Sequence, residues 1–219
     1  SPDSRLLAGG DIDGRVQVWD VAAPASGAAV LRAAAAPPLA DIDVDPQGQR
    51  IASADVGGRT LLWDLPTRRV LRRFEHSVAT EARALRFHPQ RALLALATLG
   101  GGVEVFALDG ASVGTRIEGT IEALAWDGAH DLLLTGGQDG VVRSHAPDGT
   151  AGQALAEPHG DAVVALAVAP ATPGTAAQPA LVYSADTRGV IKARASVPGA
   201  DPAGESGTVT SVTDASGKA

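Results

Sequence analysis

An all-β fold built by repetition is what this 219-residue sequence predicts, and three observations carry the prediction. A segment of about 20 residues recurs five times along the chain. Within each copy apolar and polar residues alternate with period two, as at Val16/Val18, Val103/Val105 and Leu124/Trp126, which is the mark of strands and not of helices. Turn pairs (Asp-Gly, Gly-Gly, Pro-Asp, Pro-Gln) separate the runs.

The copies align without gaps at their start. SPDSRLLAGGDIDGRVQVWD (1–20) matches DPQGQRIASADVGGRTLLWD (45–64), moving Pro2 onto Pro46 and Trp19 onto Trp63. HPQRALLALATLGGGVEVFA (88–107) follows with Phe106 in the Trp place. DGAHDLLLTGGQDGVVRSHA (127–146) puts His145 there, and LVYSADTRGVIKAR (181–194) puts Arg194 there after the insert PATPGTAAQP. The spacings of that position are 44, 43, 39 and 49 residues, and a glycine stands five residues before it every time: Gly14, Gly58, Gly101, Gly140 and Gly189. Ahead of each Pro-type turn lies another short strand (42–44, 85–87, 124–126, 166–168), and after the Trp place comes an outer strand such as 70–74. Each unit of about 43 residues should therefore hold four strands.

Four short antiparallel strands per 40 to 45 residues, with Trp19-Asp20 and Trp63-Asp64 closing the third, resembles the WD-repeat β-propeller family. The resemblance covers residues 1–195 and implies blades of about 1–37, 38–80, 81–119, 120–160 and 161–195. Residues 196–219 read as a Gly/Ser/Ala/Pro-rich tail with one closing strand at 208–212. Five units imply an arc of a larger ring, commonly seven-bladed in the family, or a ring closed by strands lent between the chain ends. Unit one lacks its innermost strand and the sequence opens without Met inside a repeat, so an excerpt of a longer chain or a processed product is expected.

Family blades tie a His, a hairpin Asp, a Ser or Thr and the Trp together by hydrogen bonds. The resemblance carries these roles onto Asp13 and Trp19 in unit one, Ser53 and Trp63 in unit two, and His76 in unit three. In unit four they fall on Thr135 and Asp139, and in unit five on His159 and Ser184. No unit holds all four, so cohesion should rest mainly on apolar packing. The turn glycines are expected in the hairpin between second and third strands, where positive φ suits Gly.

Composition narrows the function classes. The chain is 45% hydrophobic but only 3% aromatic, with 43 Ala, so its core must be aliphatic. The net charge of −7 speaks against a nucleic-acid-wrapping surface. The sequence has no Cys, which removes disulfides, thiolate metal sites and a cysteine nucleophile, and no run of about 18 apolar residues, so a membrane partner is not expected. Cytoplasmic localisation is the default expectation. Sixteen Arg beside two Lys, with abundant Ala and Gly, point to a GC-rich bacterial source.

The candidate sites are few. DIDVDPQG (41–48) begins like a calcium loop, but Pro46 stands where Gly is required and Ala52 where a bidentate Glu belongs, so no metal is expected. Aligning the inner strands predicts an ion pair between Asp43 and Arg86. Gly100-Gly101-Gly102 lacks a following Lys-Ser/Thr and reads as a hairpin turn rather than a phosphate loop. The five His form no metal pair and no nucleophile elbow is present, so no catalytic residue and no cofactor is assigned. Residues 68–91 carry seven Arg against two Glu, a local +5 in a chain whose remainder is −12. Arg68, Arg69, Arg72 and Arg73 are the densest part of that cluster.

What the resemblance implies is a rigid, non-enzymatic platform for a protein or peptide partner. The contact surface is expected around Asp11, Asp13, Asp55, Asp139, Asp186 and Arg188, with His76 and His159 where chains pass into blades, and along the arginine cluster. Open sheet edges would pair with further blades or a second copy. Two alternatives stand beside this reading: a propeller enzyme or small-ligand or metal sensor with its site at the central channel, and a sensory or scaffolding appendage of a larger bacterial signalling protein.

Overall fold

The computed structural model describes residues 1, 4–33, 37–76, 80–155, 157–169, 180–195 and 208–209. The insert at 170–179, the end of the expected strand 208–212 and most of the tail lie outside them. The chain divides into two compact units, Ser1–Gly119 and Thr120–Ala219.

The first unit holds three antiparallel sheets. β1 (Leu6–Gly10), β2 (Arg15–Asp20) and β3 (Ala29–Arg32) form one; β4 (Leu39–Val44), β5 (Arg50–Asp55), β6 (Thr60–Asp64) and β7 (Arg69–Phe74) form the next; β8 (Ala82–Phe87), β9 (Leu93–Thr98) and β10 (Gly102–Ala107) form the third. In the second unit β11 (Ile121–Asp127), β12 (Leu132–Gly137), β13 (Arg143–His145) and β14 (Ala151–Ala154) make one sheet. β15 (Val163–Ala169), β16 (Leu181–Asp186), β17 (Ile191–Ala195) and β18 (Thr208–Val209) make another. Each sheet is a meander in sequence order, so every strand pairs with its chain neighbour. Among the described residues the only helical turn is Pro24–Ser26.

The third sheet departs from the expected four strands. Where an outer strand should run, two isolated bridges (Val103 with Ile117, Phe106 with Ser112) replace it. Three positive-φ glycines, Gly110, Gly114 and Gly119, interrupt that stretch and break the extended geometry a ladder needs.

The hairpin glycines behave alike in four of five sheets: Gly14, Gly58, Gly140 and Gly189 have φ of 71, 82, 72 and 80°. Gly58 is doubly constrained, because a Cβ there would also lie 2.5 Å from the Thr80 carbonyl oxygen. In the third sheet the expectation for Gly101 fails: the positive φ falls on Gly100 (69°) and Gly102 (70°). Gly101 still donates its N–H to the Thr98 carbonyl, as the other four do to the residue three before them. With three glycines in a row the turn can place its left-handed residues on either side of the middle one.

Alternation delivers the apolar faces into shared interiors. Val16, Val18, Leu31, Ile51, Leu61 and Trp63 form a cluster spanning the first two sheets. Ala52, Leu62, Phe74, Leu85, Leu94, Leu96 and Phe106 form one spanning the second and third. In the second unit Ala125, Leu134, Val142, Leu155, Val163 and Val182 join its two sheets.

Candidate interaction surface

Which polar residues face outward is decided by what the hairpins consume. Asp11, Asp55 and Asp186 each close a hairpin: one carboxylate oxygen accepts the N–H groups two and four residues on (Asp13 and Arg15; Gly57 and Arg59; Arg188 and Val190) at 2.9–3.0 Å. A short side chain at the first turn position can reach both donors, which satisfies amides that would otherwise be orphaned. Asp45 caps the preceding turn type in the same manner through Gln49 and Arg50 (2.7 and 2.9 Å), and His88 does so with Nδ1 accepting from Gln90 and Arg91. The carboxylate of Asp45 is thus already engaged by backbone amides.

Asp13 and Asp139, carried over as the hairpin acids, stand instead at the tips. Asp13 pairs with Arg15 at 3.1 Å, Asp139 pairs with Arg143, and both are about half exposed. They sit two residues past the position from which a carboxylate reaches back across the turn.

In the fifth sheet the polar residues assemble into a chain. His159 Nδ1 lies 3.1 Å from Asp186 Oδ2, its Nε2 lies 2.8 Å from Ser184 Oγ, and Arg194 donates to Ser184 Oγ at 3.4 Å. Burial holds His159 below the usual histidine range, although Asp186 pulls the other way. Burial opposes the Asp186 charge, but the Val190 N–H and His159 outweigh it and hold its carboxyl low. The neutral imidazole therefore donates from Nδ1 and accepts the Ser184 hydroxyl. The order serine, histidine, aspartate is that of a hydrolytic triad, but Ser184, His159 and Asp186 are each at least 95% buried, so the hydroxyl has no approach for a substrate. Its role is to tie β16 to the segment entering β15.

The other sheets hold fragments of that chain. Trp63 Nε1 donates to Ser53 Oγ at 2.8 Å, and Thr135 Oγ1 meets His145 Nε2 at 3.0 Å. In the first sheet Gly9 leaves a flat floor for Trp19, whose ring would lie 3.5 Å from a Cβ there. His76 reaches out of its expected blade: Nε2 meets Thr60 Oγ1 on β6 at 3.1 Å, and its ring stands edge-on to Phe106 at 5.6 Å. Asp55, Asp186, His76 and His159, expected on the contact surface, are thus interior parts of blades. Of that expected set Asp13, Asp139 and Arg188 are exposed and Asp11 is half-buried. Arg188 pairs with Asp161 at 3.1 Å.

Arg86, expected to pair with Asp43, does attract its carboxylate, and it also reaches Asp41. Arg86 Nη1 bonds Asp41 Oδ2 at 2.7 Å and its own neighbour's carbonyl, Leu85 O, at 2.6 Å. The guanidinium lies beside Asp41, and Asp43 Oδ2 accepts the Phe87 N–H at 2.7 Å.

The arginine cluster is the feature that remains on the outside. β7 is the outermost strand of its sheet, and Arg69, Val70, Leu71, Arg72 and Arg73 are all exposed, with only Phe74 turned into the core. Among the described residues Arg68, Arg69 and Arg72 make no ion pair, and Arg73 lies 3.5 Å from the exposed Glu75. The β6–β7 register shifts between Leu62 and Trp63, leaving Leu71 as an extra residue. A bulged, arginine-studded edge resists addition of another strand, so it presents side chains rather than a ladder.

The family model described as WD domain, G-beta repeat matches residues 1–20 and 111–144. Over those two stretches the chain is similar to the WD repeats of β-propellers. Among solved structures, the Cps50 (Swd1) β-propeller domain of Myceliophteria thermophila superposes with a TM-score of 0.74 at 16% identity, covering 92% of this chain and 67% of that one. No match was found among curated proteins. In WD-repeat terms, the hairpin acid that the sequence reading placed at Asp13 and Asp139 belongs at Asp11, Asp55 and Asp186. The available signal was the Asp standing three residues before the turn glycine in three of five units.

Proposed function

We propose that this chain is a non-catalytic platform that binds an acidic segment of a protein partner through the arginines of β7. WD-repeat propellers serve in general as protein-interaction scaffolds, which supports the platform part of the reading. The observation that carries the rest is the exposed run Arg68, Arg69, Arg72 and Arg73, three of them without an ion pair among the described residues, in a chain that is otherwise strongly acidic. Exposed like charges on one strand repel each other, and an opposing carboxylate series relieves this while steering the encounter. A nucleic-acid partner fits less well, because the exposed face of β7 offers no aromatic ring for stacking and Phe74 is buried.

The test is binding of a labelled polyglutamate peptide to the full chain, read by fluorescence anisotropy at low and at physiological salt. Arg69→Glu combined with Arg72→Glu should weaken it at least tenfold, and salt should weaken it in the wild type. Binding that is indifferent to both changes would remove β7 from the site.

A further inference from the structure

Beside the base of β7 the first two blades leave a groove of about 410 Å³. Leu6, Val18 and Ala28 line one side, and Leu65 and Pro66, from the turn leading into β7, line the other. Val18 belongs to the buried cluster of Val16, Leu31, Ile51 and Trp63, and Leu6 and Leu65 pack against it. The walls are therefore the outer face of a packed core. Two charged residues stand on the lining, Asp20 and Arg68. Asp20 is engaged by the Ala22 N–H at 2.8 Å. Arg68 has φ of 57°, a left-handed residue that turns the chain into β7, and makes no ion pair among the described residues. Arg69 follows Arg68 directly; beyond the exposed Val70 and Leu71, Arg73 pairs in register with Leu61 of the cluster that backs the groove, while Arg72 lies against Gly110.

We infer that this groove binds aliphatic side chains of the acidic partner segment whose carboxylates lie along β7. The inference rests on the acidic-partner reading above and adds the anchor that reading lacks. Charge pairs on an exposed strand supply encounter rate and sign selectivity but little affinity. An apolar side chain removed from water in a preformed pocket supplies affinity and fixes register. The groove is within the size range of roughly 300–1,000 Å³ in which small apolar groups are held. Its apolar lining meets the basic strip at Arg68, so one short segment can satisfy both. The bulge at Leu71 disfavours strand addition as the alternative way of holding an extended peptide.

Two labelled peptides separate the parts: two leucines followed by a run of glutamates, and the same peptide with serines in place of the leucines. Against the full chain the leucine peptide should bind about tenfold tighter or more. Ala28→Trp, which fills the groove, should abolish that advantage and leave the serine peptide unaffected. Ser26→Trp repeats the test from the exposed lip, and thermal melting confirms that each variant is folded. Equal affinity of the two peptides would overturn the groove while leaving the arginine strip intact, as would a leucine advantage that survives both tryptophans. Failure of both peptides to bind at low salt would overturn the strip and the groove together.

Discussion

At the inner edge between the second and third blades, Asp41 and Asp43 of β4 reach across to β8. Asp41 accepts the Leu85 N–H at 2.9 Å and the Arg86 guanidinium at 2.7 Å, and Asp43 accepts the Phe87 N–H at 2.7 Å. The fourth blade carries Ala123 and Ala125 at the corresponding places. Its seam with the fifth is apolar: Ala125, Leu134, Val142 and Val163 pack together, and Gly136 is approached so closely that a Cβ would stand 2.6 Å from Val163 Cγ1. The two seams solve one problem differently. An innermost strand pairs on one side only, so alternate N–H groups face the neighbouring blade unsatisfied. Carboxylates supply acceptors in the first case. In the second, close apolar packing supplies the cohesion.

The contrast breaks most sharply at Gly136. Gly136→Val forces a branched side chain into Val163 and should cost about 3 kcal/mol in urea unfolding, since a packed seam responds to overfilling by strain. Unchanged stability would mean that this seam yields and is not close-packed. At the polar seam Asp41→Ala should cost less, about 1–2 kcal/mol, because Asp41 and Arg86 are partly solvated, with side chains 23% and 38% exposed. The loss at Asp41 should shrink in high salt, and the loss at Gly136 should not. A salt-independent loss at Asp41 would assign its role to the Leu85 amide alone.

Much of this was legible in the sequence, for reasons that particular residues make plain. The blade period, the strand order and the hairpin positions follow from local chemistry: alternation, turn glycines and a large residue at the third-strand end. Trp63 with Ser53 was readable because both partners lie on adjacent strands of one hairpin. What failed was reach. Asp43 aligned with Arg86 and does feel its charge, but a guanidinium on a long stem also reaches Asp41 two residues away, which the alignment did not anticipate. His76 was assigned to the third blade by its distance from Pro89, yet it bonds Thr60 of the second, because Phe106 and Leu96 leave no hydroxyl for it at home. The arginine run was visible as charge on an outer strand, and the bulge at Leu71 was not.

The smallest expected effect is also the most diagnostic of the polar seam. Burial pushes the Asp43 carboxyl up to about 6 from its ordinary 3.8, more than the Phe87 amide and Arg86 can pull it down. A folded pKa above the unfolded one means that the fold takes up a proton as pH falls from about 6 to 4. Ionised Asp43 is therefore a net cost at neutral pH that disappears in acid. His76, His145 and His159 act in the opposite sense: burial holds each below 6.5, so the stability they confer is present above that pH and lost as it falls. Asp43→Asn removes one side of this opposition and keeps a carbonyl oxygen for the Phe87 N–H. It should stabilise the chain at pH 7 by about 1 kcal/mol, less than the full shift implies because the group is partly solvated. The gain should vanish near pH 4, leaving a steeper acid loss across the histidine range than in the wild type. Urea unfolding at the two pH values reads both effects. A variant that is less stable at pH 7 would show that the Asp43 charge holds the seam together rather than straining it.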